Sequence, residues 1–174
     1  MIIGIVAVDR NLAIGKAGKL PWHYSADMKF FKQTTIGNSI VMGQRTWSTL
    51  KGPLSDRQNI ILTRNGDIAV PDGVKVMNEV QAVLDFAKAV DTHLFVIGGA
   101  QVYAAFVGHI DRWLVTEVPL SVQAADTFMP RDFLDGFELY EFRQLDEGLR
   151  VKFYERVPEA RGDSGGKSER PLLR

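Results

Sequence analysis

The chain has 174 residues, 45% of them hydrophobic and 24% charged, with 21 Lys and Arg balancing 21 Asp and Glu. This is ordinary composition for one globular domain, and the even charge recommends neither nucleic acid nor an anionic membrane as partner. The absence of cysteine excludes disulfides, thiolate chemistry and Cys-based zinc sites, and with only three scattered histidines no metal is expected.

Residues 2–8 form a near-continuous Ile/Val run, the pattern of a strand covered on both faces in the interior of a parallel or mixed sheet. No positive segment precedes it, no cleavage-like site follows it, and no window reaches the roughly 18 apolar residues of a membrane span; a soluble protein is expected. Residues 9–22 make a long connection with Gly15 and Gly18 and no clean periodicity, the kind of loop that often serves as a lid. A helix is expected over residues 25–35, entered after Pro21-Trp22 and capped by Ser25. On a helical wheel Asp27, Met28, Phe30, Phe31, Thr34 and Thr35 share one side, and Lys29, Lys32 and Gln33 the other. Asp27 thus lies on the less polar face, where a carboxylate loses solvation and needs a partner, a proton or a hydrogen-bond-donating ligand. The alternative is a plain Asp in the first turn, favoured by the helix dipole.

A short strand over 38–43 ends in Gly43 and runs into a short helix over 44–50. Strand, glycine and helix start with Arg45 and Thr46 suit an anion, because exposed N–H groups and the dipole both favour negative charge there. A turn-rich segment, 51–57, leads to a buried strand over 58–64 that ends in Thr63-Arg64, and Asn65-Gly66-Asp67 is a turn. A strand at about 73–77 precedes a helix at about 79–90, whose Val80, Val83, Leu84, Ala87 and Val90 form an inward stripe. Residues 92–103 repeat the strand, glycine, helix junction around Gly98-Gly99, without the third glycine of a Rossmann dinucleotide fingerprint. After a strand over 112–118 and a loop closing at 125–130, residues 137–143 and 149–156 read as a hairpin. In its second strand Leu149, Val151 and Phe153 alternate with Arg150, Lys152 and Tyr154, so the sheet ends antiparallel with one face wet. The folded domain is expected over 1–157 and a disordered tail over 158–174. His23, His93 and His109 read as surface, Trp47 and Trp113 as packing.

Ile14-Gly15, Leu20-Pro21-Trp22, Asp27 with Phe31, Val41-Met42-Gly43 with Thr46-Trp47, Arg57 with Asn59, Ile97-Gly98-Gly99 with Val102-Tyr103, and Asp126-Thr127 occur in an order and spacing that resemble dihydrofolate reductase, in its bacterial single-domain form. The resemblance runs from residue 1 to about 157. It implies an α/β three-layer fold: a central mixed, mostly parallel sheet of about eight strands, an antiparallel C-terminal hairpin and about four flanking helices. It also implies NADPH-dependent reduction of 7,8-dihydrofolate to 5,6,7,8-tetrahydrofolate, by hydride transfer to C6 and protonation at N5. Such an enzyme would be a cytoplasmic monomer serving one-carbon metabolism and thymidylate synthesis, with no nucleic-acid or membrane partner.

On this resemblance Asp27 would hold the 2-amino group and N3 of the pterin, with Thr116 orienting it, and Arg57 would clamp the α-carboxylate of the glutamate tail. Ile5, Met28, Phe31, Leu50, Leu54 and Ile97 would wall the pterin and aminobenzoyl rings. Ala7, Ile14 and Tyr103 would border the nicotinamide; Gly98, Gly99, Ala100, Gln101 and Val102 would approach the pyrophosphate, Thr46 would contribute at the first helix start, and Gly15 and Gly43 would also bind the cofactor. Arg45, Thr63 and Arg64 would surround the 2′-phosphate. Leu20 and Trp22 would admit the water that protonates N5, with Asp27 the acidic side chain tied to that step. Three positions depart from the commoner bacterial pattern: Gln44 stands where a basic residue is frequent, Ala100 replaces a glycine and Ser25 a proline. The rival enzyme is the pyrimidine reductase of riboflavin synthesis, which lacks the Pro-Trp and helix-Asp pattern; the rival of another class is a pterin- or NADPH-binding protein without turnover.

Overall fold

A computed structural model gives the structure of the protein and describes residues 1–158. The expected disordered tail therefore lies, from residue 159 on, outside the described residues. In chain order the elements are β1 (Ile2–Val8), β2 (Ala13–Gly15), α1 (Ser25–Thr35), β3 (Ser39–Gly43), α2 (Gln44–Thr49), β4 (Gln58–Leu62), β5 (Lys75–Met77), α3 (Val80–Ala89), β6 (Leu94–Val96), α4 (Ala100–Phe106), β7 (Arg112–Glu117), β8 (Thr127–Phe128), β9 (Phe137–Gln144) and β10 (Arg150–Arg156).

The main sheet has the order β5-β4-β3-β6-β1-β7-β10-β9. Strands β5 through β7 in that order run parallel, β10 joins β7 antiparallel, and β9 pairs antiparallel with β10. The unbroken apolar run of β1 follows from its place: it pairs with β6 on one side and β7 on the other, and both its faces are covered. Ile3 and Ile5 join the cluster that includes Phe30 and Phe31 of α1, whereas Val6 and Val8 join the cluster containing Val83 and Leu84 of α3 and Val102, Tyr103 and Phe106 of α4. Helices thus cover both faces of a parallel sheet, as crossover connections require. The inward stripe of α3 is borne out, with Val83 and Leu84 buried.

Gly4 has a packing reason. It lies beside Trp113 in the β1–β7 register, and a Cβ at Gly4 would fall 2.3 Å from Trp113 Cε3. Trp113 is completely buried and meets Phe133 edge-on, with centroids 5.2 Å apart. Its bulk takes the space that a side chain at Gly4 would need.

Two local expectations are corrected. The 9–22 connection is not wholly irregular: β2 lies within it and pairs with β8 in a small second sheet. A three-residue strand is too short for any periodicity to reveal. Ser25 is not the cap of α1; Tyr24 holds the N-cap position with extended backbone and no side-chain bond.

Candidate active site

In an open α/β sheet the crevice beyond the carboxyl ends of the strands is where ligands bind, because strands, helix starts and loops converge there. Here Ala7 of β1, Gly43 of β3, Ile97 after β6 and Thr116 of β7 reach that end. Gly43 N donates to Gly98 O at 2.8 Å, joining the ends of β3 and β6. A cavity of about 670 Å³ lined by Met1, Leu84, Lys88, Asp91, His93 and Asp111 lies at the opposite, amino end of the strands and contains none of the expected site residues.

Asp27 enters the crevice from the first turn of α1. Thr116, two residues beyond the α1-facing Leu114, donates to its carboxylate. Burial pushes the Asp27 pKa up, and the Thr116 hydrogen bond opposes this without cancelling it. Across the crevice Tyr103 is buried and its hydroxyl donates to Ile5 O at 2.7 Å. Burial, and secondarily the charge of Asp27, push its phenol far above the ordinary value, so it remains a neutral donor.

Ile5, Phe31, Leu50, Leu54 and Ile97 come together in one apolar cluster, with Phe30 and Trp47 beside them. Met28 stands outside this cluster and is 55% exposed. At the far end of α1, Arg57 lies over the Phe31 ring, 5.9 Å from its centroid. Nε donates to Ser55 O at 2.9 Å and Nη1 to Thr35 Oγ1 at 3.0 Å, which fixes the plane of the group. Partial burial draws the Arg57 pKa down and Asp56 opposes that change; a guanidinium stays charged regardless. Asn59 braces the loop, accepting from Leu54 N and donating to the carbonyls of Leu54 and Arg57.

The junctions of β3 with α2 and of β6 with α4 face each other. The Gly98–Gly99 peptide is cis, and Gly98 has φ +113, a conformation open to glycine. A Cβ on Gly98 would come 3.2 Å from the Tyr103 ring, one on Gly43 would come 3.1 Å from Val102 Cγ2, and one on Gly99 would come 3.6 Å from Thr46 Oγ1. Side chains at these positions would fill a cradle that the glycine backbones and the Thr46 hydroxyl now border. This cradle fits a pyrophosphate. Ala100 is half-buried and Gln101 exposed at the start of α4. Arg45 and Arg64 are exposed near it, and Thr63 Oγ1 donates to Gln44 Oε1 at 2.9 Å, so the residue that departs from the basic pattern is tied to the Thr63 side chain.

The lid is held at both ends. Asp9, buried at the base of the loop, accepts from Asn11 N, Ala13 N and Val122 N at 2.7 to 2.8 Å. Burial raises its pKa, but these three bonds outweigh it and leave the group below its ordinary value. Asp126 accepts from Ala17 N at 2.7 Å and from Thr127 Oγ1 at 2.9 Å, and its own N–H donates to Gly15 O at 3.3 Å. Ile14 and the buried Gly15 are set by this pairing, while Leu20 is 52% exposed. Trp22 is half-buried, and its buried indole Nε1 makes no hydrogen bond within the described protein.

Sequence reasoning missed two residues. Asp9 could have been suspected as an Asx turn opening the loop. Glu147, whose Oε2 accepts from Ala26 N at 2.7 Å, comes from 121 residues away and leaves no local signal. His23, His93 and His109 are exposed, as expected.

The family model described as dihydrofolate reductase matches residues 1–155. The dihydrofolate reductase of Bacillus subtilis is 39% identical over 118 residues, covering 68% of this chain and 69% of that protein. Dihydrofolate reductase HdrB of Haloferax volcanii is 33% identical, covering 92% of this chain and 86% of its own. A soybean bifunctional dihydrofolate reductase-thymidylate synthase is 36% identical over 97% of this chain, which spans 36% of that longer protein. Among solved structures, dihydrofolate reductase from Enterococcus faecalis, complexed with NADP(H) and RAB-propyl, superposes with a TM-score of 0.83 at 32% identity, covering 90% of this chain and 96% of that one.

Proposed function

The chain belongs to the dihydrofolate reductase family, and from that membership we infer that it reduces 7,8-dihydrofolate to 5,6,7,8-tetrahydrofolate with NADPH. The observation that carries the reading is Asp27: a partly buried carboxyl with its pKa pushed up, bonded by Thr116, at the carboxyl end of a parallel sheet and opposite a glycine cradle. A paired acceptor in such a place suits a ring edge that presents two N–H donors, as the 2-amino group and N3 of a pterin do.

Each site residue has a task on this reading. Phe31, Leu50, Leu54, Ile5 and Ile97 supply apolar walls that hold a flat ring system and keep water from it, with Met28 at the rim. Arg57, aimed by Ser55 and Thr35, takes the α-carboxylate of the glutamate tail. Ala7, Ile14, Gly15 and Tyr103 bound the nicotinamide end; Gly43, Thr46 and residues 98–102 bound the pyrophosphate; Arg45, Thr63 and Arg64 attend the 2′-phosphate, with Gln44 contributing an amide rather than a charge. When bound, NADPH supplies the hydride that C6 accepts; solvent supplies the proton for N5. Orientation of the two rings is the protein's main contribution. Asp27 anchors the pterin and favours the protonated ring, and the unpaired Trp22 indole N–H together with Leu20 suits a single water held at the lid. A monomer is the working unit in this proposal. Among the described residues no helix is long and apolar enough to cross a membrane; a cytoplasmic location is part of the same proposal.

The test is direct: protein, NADPH and dihydrofolate are mixed and the nicotinamide absorbance is followed. Consumption is expected with dihydrofolate. Consumption with a riboflavin precursor alone would transfer the chain to the rival reductase, and binding without consumption would make it a binding protein.

A further inference from the structure

The turn of α1 that carries Asp27 has no cap of its own, because Tyr24 at the N-cap position offers no side-chain bond. An uncapped helix start leaves backbone N–H groups to find acceptors elsewhere. The acceptor for Ala26 N is Glu147 Oε2 at 2.7 Å, delivered by the turn between β9 and β10. That turn is itself anchored: Leu149 is fully buried, and its carbonyl accepts from Leu145 N and Gln144 Nε2, both at 2.9 Å. Glu147 sits at φ +61, a conformation that costs a residue with a Cβ, so its side chain is projected toward α1 by a bent backbone rather than by a regular strand. A carboxylate at a helix N-terminus is further favoured by the helix dipole.

We propose that Glu147 is a positioning residue for the substrate site: its bond to Ala26 N–H clamps the first turn of α1 to the β9–β10 turn and fixes how deeply Asp27 enters the crevice. The proposal deepens the functional reading above and rests on Asp27 as the group that holds the pterin. The groups around Asp27 are the Thr116 hydroxyl on β7 and the Tyr103 phenol on α4; Arg57 is bound to Thr35 at the other end of the helix, and Lys29 and Lys32 are exposed on α1 itself. None of these ties the first turn to the rest of the fold through the backbone as Glu147 does. Because burial is the main cause of the raised Asp27 pKa, a loosened first turn admits water to the carboxylate and returns its titration toward the ordinary range.

Two variants separate geometry from general stability. Glu147→Gln keeps a side-chain oxygen that can accept from Ala26 N–H; Glu147→Gly removes the acceptor and suits the positive φ. The readouts are the carboxyl ¹³C titration of Asp27 in the ligand-free protein, assigned with Asp27→Asn, and the KM for dihydrofolate beside the Kd for NADPH. E147Q is expected to match the parent in all three. E147G is expected to titrate Asp27 at lower pH and to raise the dihydrofolate KM roughly three- to tenfold with an unchanged NADPH Kd, the size of one lost hydrogen bond of ordinary strength. Parental titration and KM in E147G, even with a lower Tm, would reduce the contact to a structural one and overturn the proposal. A shifted Asp27 titration in E147G together with a parent that never turns over dihydrofolate would uphold the clamp and overturn the functional reading instead.

Discussion

At Asp27 burial works against ionisation, and the stability of the protein records it. The folded state holds the Asp27 proton more tightly than the unfolded chain does, so stability falls as pH rises from the ordinary carboxylate value through the raised one. At neutral pH an ionised Asp27 therefore costs stability, and Asp27→Asn removes that cost. Thermal melts are expected to show a higher Tm for the Asn variant at pH 7, with the difference shrinking as pH is lowered toward 4; a pH-independent difference would mean that the carboxyl is not desolvated. Asp9 behaves oppositely. Its pKa is depressed, so its contribution persists above the ordinary range and is lost only as pH falls through its lowered value. At Arg57 the fixed planar fork matters more than the charge, so Arg57→Lys is expected to raise the dihydrofolate KM by about tenfold or more while leaving the NADPH Kd in place. Equal losses for both ligands would misplace Arg57. The partial burial of Asp27 was legible in the sequence as an acid on the less polar face of a helical wheel, although Met28, placed on that face too, is exposed. The aim of Arg57 was not legible, since Thr35 becomes its partner only when α1 meets the loop before β4, while the bond to Ser55 O two residues away is local.

Elements with strong local patterns were readable at once: the two-sided apolar run of β1, the stripe of α3 and the alternation in β10 each follow from how many faces are buried. Elements stabilised by distant partners were not. β2 exists through β8, over 100 residues later, and the lid they staple is finished by Asp126 binding Ala17 N. The pairing of Gly4 with Trp113 is likewise invisible until β1 and β7 lie side by side. It yields a test at this scale. Gly4→Ala is expected to cost about 1–3 kcal/mol by forcing the indole aside, and Gly4→Ala with Trp113→Leu is expected to be less destabilised than the sum of the two single variants in urea melts. Simple additivity would show that the indole does not fill the space beside Gly4.

For the whole molecule, topology places the chemistry. Parallel strands bring Ala7, Gly43, Gly98 and Thr116 to one end of the sheet, α1 covers one side of that end with Asp27 and Phe31, and α4 covers the other with Tyr103. The antiparallel hairpin extends the sheet and, through Glu147, reaches back to α1. On its edge strand Tyr140 and Phe142 are exposed, yet the guanidinium groups of Arg112 and Arg150 lie over their rings at 5.4 Å in each case. That arrangement covers one face of each ring with a cation. We propose that one buried-leaning carboxylate, Asp27, selects and orients dihydrofolate in a crevice that holds NADPH independently. Turnover of dihydrofolate and Kd for NADPH, measured side by side for the parent and Asp27→Asn at neutral pH, test it most directly. The parent is expected to form one tetrahydrofolate per NADPH consumed, and the variant to lose about a hundredfold or more in turnover with its NADPH Kd unchanged. Full turnover by the variant, or equal loss of turnover and NADPH binding, would contradict it.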